Sequence, residues 1–227
     1  MRRLALVLVL LMAGCGGGTA SDSTGGGLTT TAPSHAQGET GDATQADEAA
    51  PDDDVTATHA TLVPVPKNGE RPLPHCTDDG LPVNEQTKAR AEAAALCVVN
   101  KIRQGRGRGG LKKNSSLYAA AEAHASEMVK GQFFSHTSPS GRTMSSRVRS
   151  TGYTHGATSW RLGENIAWGS STYSTAAAIV QGWMNSPGHR ANIMRRAYKE
   201  CGMAIAVGAP VSVEGDAGTY VNDFGKK

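Results

Sequence analysis

Aromatic side chains are scarce in this 227-residue chain, at 5%, and none falls between residues 16 and 63. That stretch also lacks Lys and Arg, while it holds eight Asp or Glu among Gly, Ser, Thr and Ala. So little apolar surface cannot repay the entropy of ordering, which excludes a packed core and any site there. A membrane-spanning run is missing as well. The apolar stretch LALVLVLLMAG has 11 residues, too short for a stable span. There are four cysteines, and their spacing offers no zinc-ribbon pattern. Neither a Gly-x-Ser-x-Gly nucleophile elbow nor a His-Glu-x-x-His helix occurs.

What is present first gives an address. A basic MRR, the apolar run and the small residues Ala13 and Gly14 precede Cys15, the order of a secretory signal. LLMAGC resembles the bacterial lipoprotein signal, whose cysteine is acylated and becomes the mature N-terminus, although Met12 is a less usual residue there. The expected organisation is a signal peptide at 1–14, a lipid-anchored acidic tether at 15–74 and one globular domain at 75–227. Pro64, Pro66, Pro72 and Pro74 stiffen the end of the tether. Export and attachment to a membrane through Cys15 are expected, at the cell surface or in the envelope.

With residues 1–63 set aside, the remainder carries about +9, hidden behind a whole-chain +3. Arg103, Arg106, Arg108, Lys112 and Lys113 gather part of this charge near one loop. Such a loop reads as a solvated face, or as a contact for anionic cell-wall polymer or lipid headgroups. Nucleic acid is not an expected partner, since the chain is exported and no aromatics interleave with these charges. Once Cys15 carries lipid, Cys76, Cys97 and Cys201 remain. A Cys76–Cys97 bridge would staple the lead-in to the first helix in an oxidising compartment. Cys201 is then buried and free, or competes for a partner, because spacing does not fix connectivity.

Helical periodicity marks 85–104, 114–134, 143–152 and 174–186, the last with Ser174 as its cap. MAIAVGA and TYVNDFG near the end read as short strands. Helices first and a small antiparallel sheet late give an α+β layered domain. In NSPGHRANIM, Ser186 can cap and Pro187 suits the first helical position. His189 then lies beside the positive end of the helix dipole, which disfavours an imidazolium and leaves a neutral ring able to ligate or accept a proton. His124 falls on an apolar helix stripe and reads as a core histidine, and Asn100 and Arg103 as braces of the fold.

Several runs stand in an order that resembles bacterial CAP-superfamily (SCP-like) domains, named for cysteine-rich secretory proteins, antigen 5 and pathogenesis-related 1. They are VNKIRQGRGRGGL, AEAHASEM, FFSHTSPSGRT, GENIAWG, WMNSPGHRANIM and YVNDFG, covering about residues 84 to 225. The resemblance implies a three-layer α-β-α sandwich with a cleft lined by histidines and acids, which holds a divalent metal in some members. No single reaction belongs to the family. Its first cleft histidine falls on His136 and its cleft glutamate on Glu164. The chain departs from the eukaryotic pattern afterwards: Ser186 stands where a second acid is sought and Thr219 where a late histidine is sought. His189 takes up the histidine of the bacterial branch. Thr219, Val221 and Asp223 share one strand face by alternation, so Asp223 either supplies the missing acid or caps the sheet end.

Two neutral imidazoles and a carboxylate can hold zinc or a similar ion with an open position, so His136, His189 and Glu164 form the candidate metal set. The same groups can work as acid and base without metal. Three functions follow as expectations. The first is a lipid-anchored surface module that binds a cell-wall polymer, lipid or protein ligand, with no catalytic residue assigned and no enzymatic activity favoured. The second is a metal-dependent hydrolase acting on peptides or cell wall, and the third a carrier of a lipid-like ligand.

Overall fold

The computed structural model describes residues 72–227. The signal peptide, Cys15 and the tether up to residue 71 lie outside them. Five helices and four strands follow in order: α1 (Lys88–Gln104), β1 (Lys112–Lys113), α2 (Ser115–Gly131), α3 (Met144–Ser150), β2 (Arg161–Ser170), α4 (Ala176–Asn185), α5 (Pro187–Met194), β3 (Glu200–Val207) and β4 (Ala217–Lys226). The sheet order is β1-β3-β4-β2. β4 runs antiparallel to both β2 and β3, whereas the two residues of β1 join β3 in parallel.

Alternation along the strands builds two apolar faces. Ile166, Ala204, Ala206 and Val221 pack against Ala121, Ala125 and Met128 of α2. Met203, Ile205, Tyr220 and Phe224 face the other way and join α1, α4 and α5 around Trp183. The result is an α-β-α sandwich with α2 and α3 on one side and α1, α4 and α5 on the other. At Gly202 the α2 backbone lies so close that a Cβ would collide with Leu117 and Tyr118. This brings the first turn of α2 hard against β3.

Caps explain most helix starts. Asn114 accepts from the amides of Ser116 and Leu117, Thr143 from Ser146 and Thr175 from Ala178. Ser174, expected as the α4 cap, instead accepts from the Val83 amide at 2.9 Å and donates to the Ser171 carbonyl at 2.7 Å. Ser186 occupies the α5 N-cap position with Pro187 behind it, yet its side chain makes no capping bond. β2 was not expected as a strand: Leu162, Glu164, Ile166 and Trp168 share one face of a ten-residue edge strand. Cys76 and Cys97 are bridged, and Cys201 is a buried free thiol. Arg103, 1% exposed, braces the fold by donating to the carbonyls of Gly109, Ile193, Arg195 and Tyr198.

Candidate functional site

Glu164 is the hub. It lies within β2 on the α2–α3 side, 6% exposed, directly across from Asp223 of β4. A carboxylate cannot stay charged in such a place without partners. His136 supplies the first, with its Nδ1 at 2.7 Å from Glu164 Oε1. Arg147 of α3, also buried, donates Nη2–H to Glu164 Oε2 at 2.7 Å. Burial pushes the Glu164 carboxyl up, but the His136 hydrogen bond and the Arg147 charge outweigh it and hold the group down at about 2. Glu164 is therefore ionised, so His136 Nδ1 carries the proton it donates. The Nε2 of a neutral ring is left as acceptor on a side chain that is 43% exposed.

Asp223 behaves in the opposite way. It is fully buried, and neither oxygen receives a hydrogen bond from an N–H or hydroxyl donor. Burial first, and the Glu164 charge second, push its carboxyl well above the ordinary range, with Arg147 only partly opposing. A neutral Asp223 spares the site a second buried negative charge directly across from the Glu164 anion. The two carboxyls thus hold one proton between them, the expected outcome for acids forced side by side.

The loop carrying His136 is pinned from several directions. Arg147 Nη1 donates to the carbonyls of His136 and Arg142, both at 3.0 Å. Ser138 donates to Glu127 at 2.7 Å, and Gly141, at φ +80°, closes the turn with an amide bond to the Ser138 carbonyl. His124 is fully buried, with Nε2–H donating to the Ser135 carbonyl at 2.9 Å. Burial pushes its pKa down, so the ring stays neutral behind the site.

His189 stands half-buried in the first turn of α5, on the other side of the sheet from the Glu164 side chain. It is held through its carbonyl, which accepts from Asn165 Nδ2 at 3.1 Å. Asn192, one turn further on, donates to the carbonyl of Glu164 and to Asn165 Oδ1. Consecutive residues of β2 thus tie both helical layers together: Glu164 reaches α3 and the His136 loop, and Asn165 reaches α5. Arg147 is the residue that sequence reasoning missed. The available signal was indirect: a glutamate amid apolar neighbours demands a buried cation, but nothing local marks Arg147 of a short helix as that cation.

These positions can be set beside known proteins. The model of the cysteine-rich secretory protein family, CAP, matches residues 96–221, more than half of the chain. The chain is 31% identical over 112 residues to the uncharacterized protein YkwD of Bacillus subtilis, covering 49% of this chain and 41% of that one. It is 27% identical over 122 residues to the uncharacterized membrane protein YlbC of the same organism, covering 53% and 33%. The chain thus spans less than half the length of either relative. Among solved structures, an extracellular SCP-domain protein of Bacillus anthracis aligns with a TM-score of 0.50 at 24% identity, covering 65% of this chain and 45% of that one. An outer surface protein of Borrelia burgdorferi aligns at 0.50 with 19% identity, covering 65% and 98%. With the family model spanning the segments that carry His136, Glu164, His189 and Arg147, the chain belongs to the cysteine-rich secretory protein (CAP) family.

Proposed function

We propose that this chain is an exported, lipid-anchored CAP module that binds a ligand at the cell surface through the rim of the His136–Glu164 site. The signal-like leader with Cys15 and the acidic stretch behind it support the export and anchoring. The extracellular SCP-domain protein and the outer surface protein with similar folds accord with export. The binding role rests on one observation above all: the 2.7 Å bond from His136 Nδ1 to a buried, ionised Glu164. It fixes the ring and presents Nε2 outward as an acceptor, backed by a permanent cation and a buried proton.

A divalent ion fits this donor set only in a restricted way. Both oxygens of Glu164 are engaged, and the Arg147 charge stands against one of them. Among the described residues no group of three or more His, Cys, Asp or Glu is arranged to hold a metal. Of the expected ligands only the half-exposed His136 Nε2 is placed for an ion, with Glu164 orienting the ring from behind, because α5 sets His189 in the other layer. When bound it would supply Lewis acidity and activate water. The same ring–carboxylate pair has the parts of a general base, which favours hydrolysis as a second reading, with water as the nucleophile. A lipid-like carrier has less support, because the exposed large apolar residues Tyr173, Val211 and Val213 lie in the segments after β2 and between β3 and β4.

The test is zinc titration by calorimetry on the full chain carrying Cys15→Ser, beside a His136→Ala, His189→Ala variant checked for folding. Stoichiometric binding lost in the variant supports the rim as a metal-holding site and sends hydrolase screens forward with that metal. Binding retained in the variant refutes the assignment of the rim. No heat in either protein removes the metal and leaves an organic or polymeric ligand for His136.

A further inference from the structure

The surface charge of the domain is sorted by the register of the sheet. At one end the chain lays cations side by side, one in each of β1, β2 and β4 and one just before β3. The Lys112 amide donates to the Lys199 carbonyl at 2.9 Å, and the Lys199 amide to the Gly225 carbonyl at 3.0 Å. Lys226 follows Gly225 and is the register partner of Arg161. Lys112, Lys199, Lys226 and Arg161 are all exposed, and at the usual spacing between strands the row crosses roughly 15 Å. Lys113 and Lys227 extend it.

The acid of this end is Glu200, and its carboxylate is already engaged by Asn114 Nδ2 at 3.0 Å and by the Tyr153 hydroxyl at 2.7 Å. The opposite end is acidic. Glu214 and Asp216 precede β4, Asp216 accepts from Asn84 Nδ2, and the Asp79 carbonyl holds the amide of Ala177 at the start of α4. Arg161 and Lys226 stand directly across two strands, where like charges repel, so an anion laid along the row is favoured.

From this geometry we infer that the basic end of the sheet is a docking surface for a linear polyanion with repeating phosphate groups. The row is mostly lysine, a hydrated point charge without the fork of arginine, which suits a flexible polyanion better than one fixed bidentate phosphate. An anionic bilayer is the less fitting partner: the exposed large apolar residues among those described, Tyr173, Val211 and Val213, lie at the acidic end, and Trp160 beside Arg161 is packed against the cluster of Leu117, Val148 and Leu162. The inference names a partner class for the surface module proposed above and depends on its export for access to such polymers. The binding itself is independent of the His136 site.

The probe is long-chain inorganic polyphosphate, titrated onto the full chain carrying Cys15→Ser and, separately, onto Lys199→Glu, Lys226→Glu and a charge-matched control, Lys130→Glu, Arg142→Glu. Binding is expected to weaken about tenfold or more between about 0.05 and 0.2 M salt, as counterion release requires. The sheet-end variant is expected to lose about tenfold at fixed salt and the control less than about threefold. Equal losses in the two charge variants, or no binding by the parent, overturn the inference. Binding to phosphatidylglycerol vesicles without binding to polyphosphate also overturns it, in favour of a membrane surface. Failure of lipid attachment at Cys15, read from the mass of the membrane-extracted protein, would refute the anchoring and leave this result standing.

Discussion

Replacing Asp223 with asparagine should make the domain more stable, and increasingly so as the pH rises. Asp223 is fully buried, and its carboxyl is held far above the ordinary 3.8 by burial and by the neighbouring Glu164 anion. Above pH 3.8 the unfolded chain has lost this proton while the folded chain keeps it. Over that window the folded state binds one proton more, so stability falls with rising pH by about 1.4 kcal/mol per unit, until the folded carboxyl also ionises. Glu164 works in the reverse direction. Held at about 2, it contributes stability above the ordinary 4.5 that is lost as the pH falls toward 2, below the range of the comparison. Asp223→Asn keeps the size of the side chain and has no proton to lose. Thermal melts of both proteins followed upward from about pH 5 should therefore diverge with the variant ahead, by about 3–5 °C per pH unit until the folded Asp223 carboxyl ionises. Parallel curves, or a variant that falls behind as the pH rises, would refute a neutral Asp223.

Other perturbations separate the parts of the structure. Arg147→Met strands the buried Glu164 charge and should cost about 3–5 kcal/mol in denaturant unfolding, whereas Arg147→Met with Glu164→Gln should recover much of it; equal losses would mean that the pair is not coupled. Breaking the Cys76–Cys97 bridge, which spans 21 residues, should cost about 3 kcal/mol, seen as a lower melting temperature under reduction. Cys201 is buried and its thiol is pushed up to about 12, so an alkylating reagent should label it only at the rate of unfolding. Gly202→Ala drives a methyl into the Leu117–Tyr118 backbone and should cost at least about 1–3 kcal/mol.

Local periodicity and capping residues are what a sequence displays, and they were enough for the helices and for β3 and β4. β2 hid because its buried face carries Glu164, a charge that breaks the apolar alternation, and because its core contribution becomes visible only beside β4. The two residues of β1 have no pattern of their own; they become a strand by pairing with β3. Glu164 and His136 were legible through the motif resemblance. Their partner Arg147 was not, because an arginine in a short helix looks like surface until a buried carboxylate is placed beside it. The Glu164–Asp223 pairing depends on register between segments 59 residues apart, which no local reading contains. The basic row has the same origin: a five-residue cluster near one loop was visible, but Arg103 turned inward and strands distant in sequence completed the surface.

The claim on which the account turns is that His136 gives its Nδ1 proton to Glu164 and offers Nε2 to a ligand. Nitrogen NMR of the imidazole rings in the full chain, with assignment by His136→Ala, reads the tautomer directly. The expected result is a protonated, strongly hydrogen-bonded Nδ1 and a bare Nε2 at a pH where the ring is neutral, lost in Glu164→Gln. A ring protonated at Nε2, or a tautomer indifferent to Glu164→Gln, would contradict it.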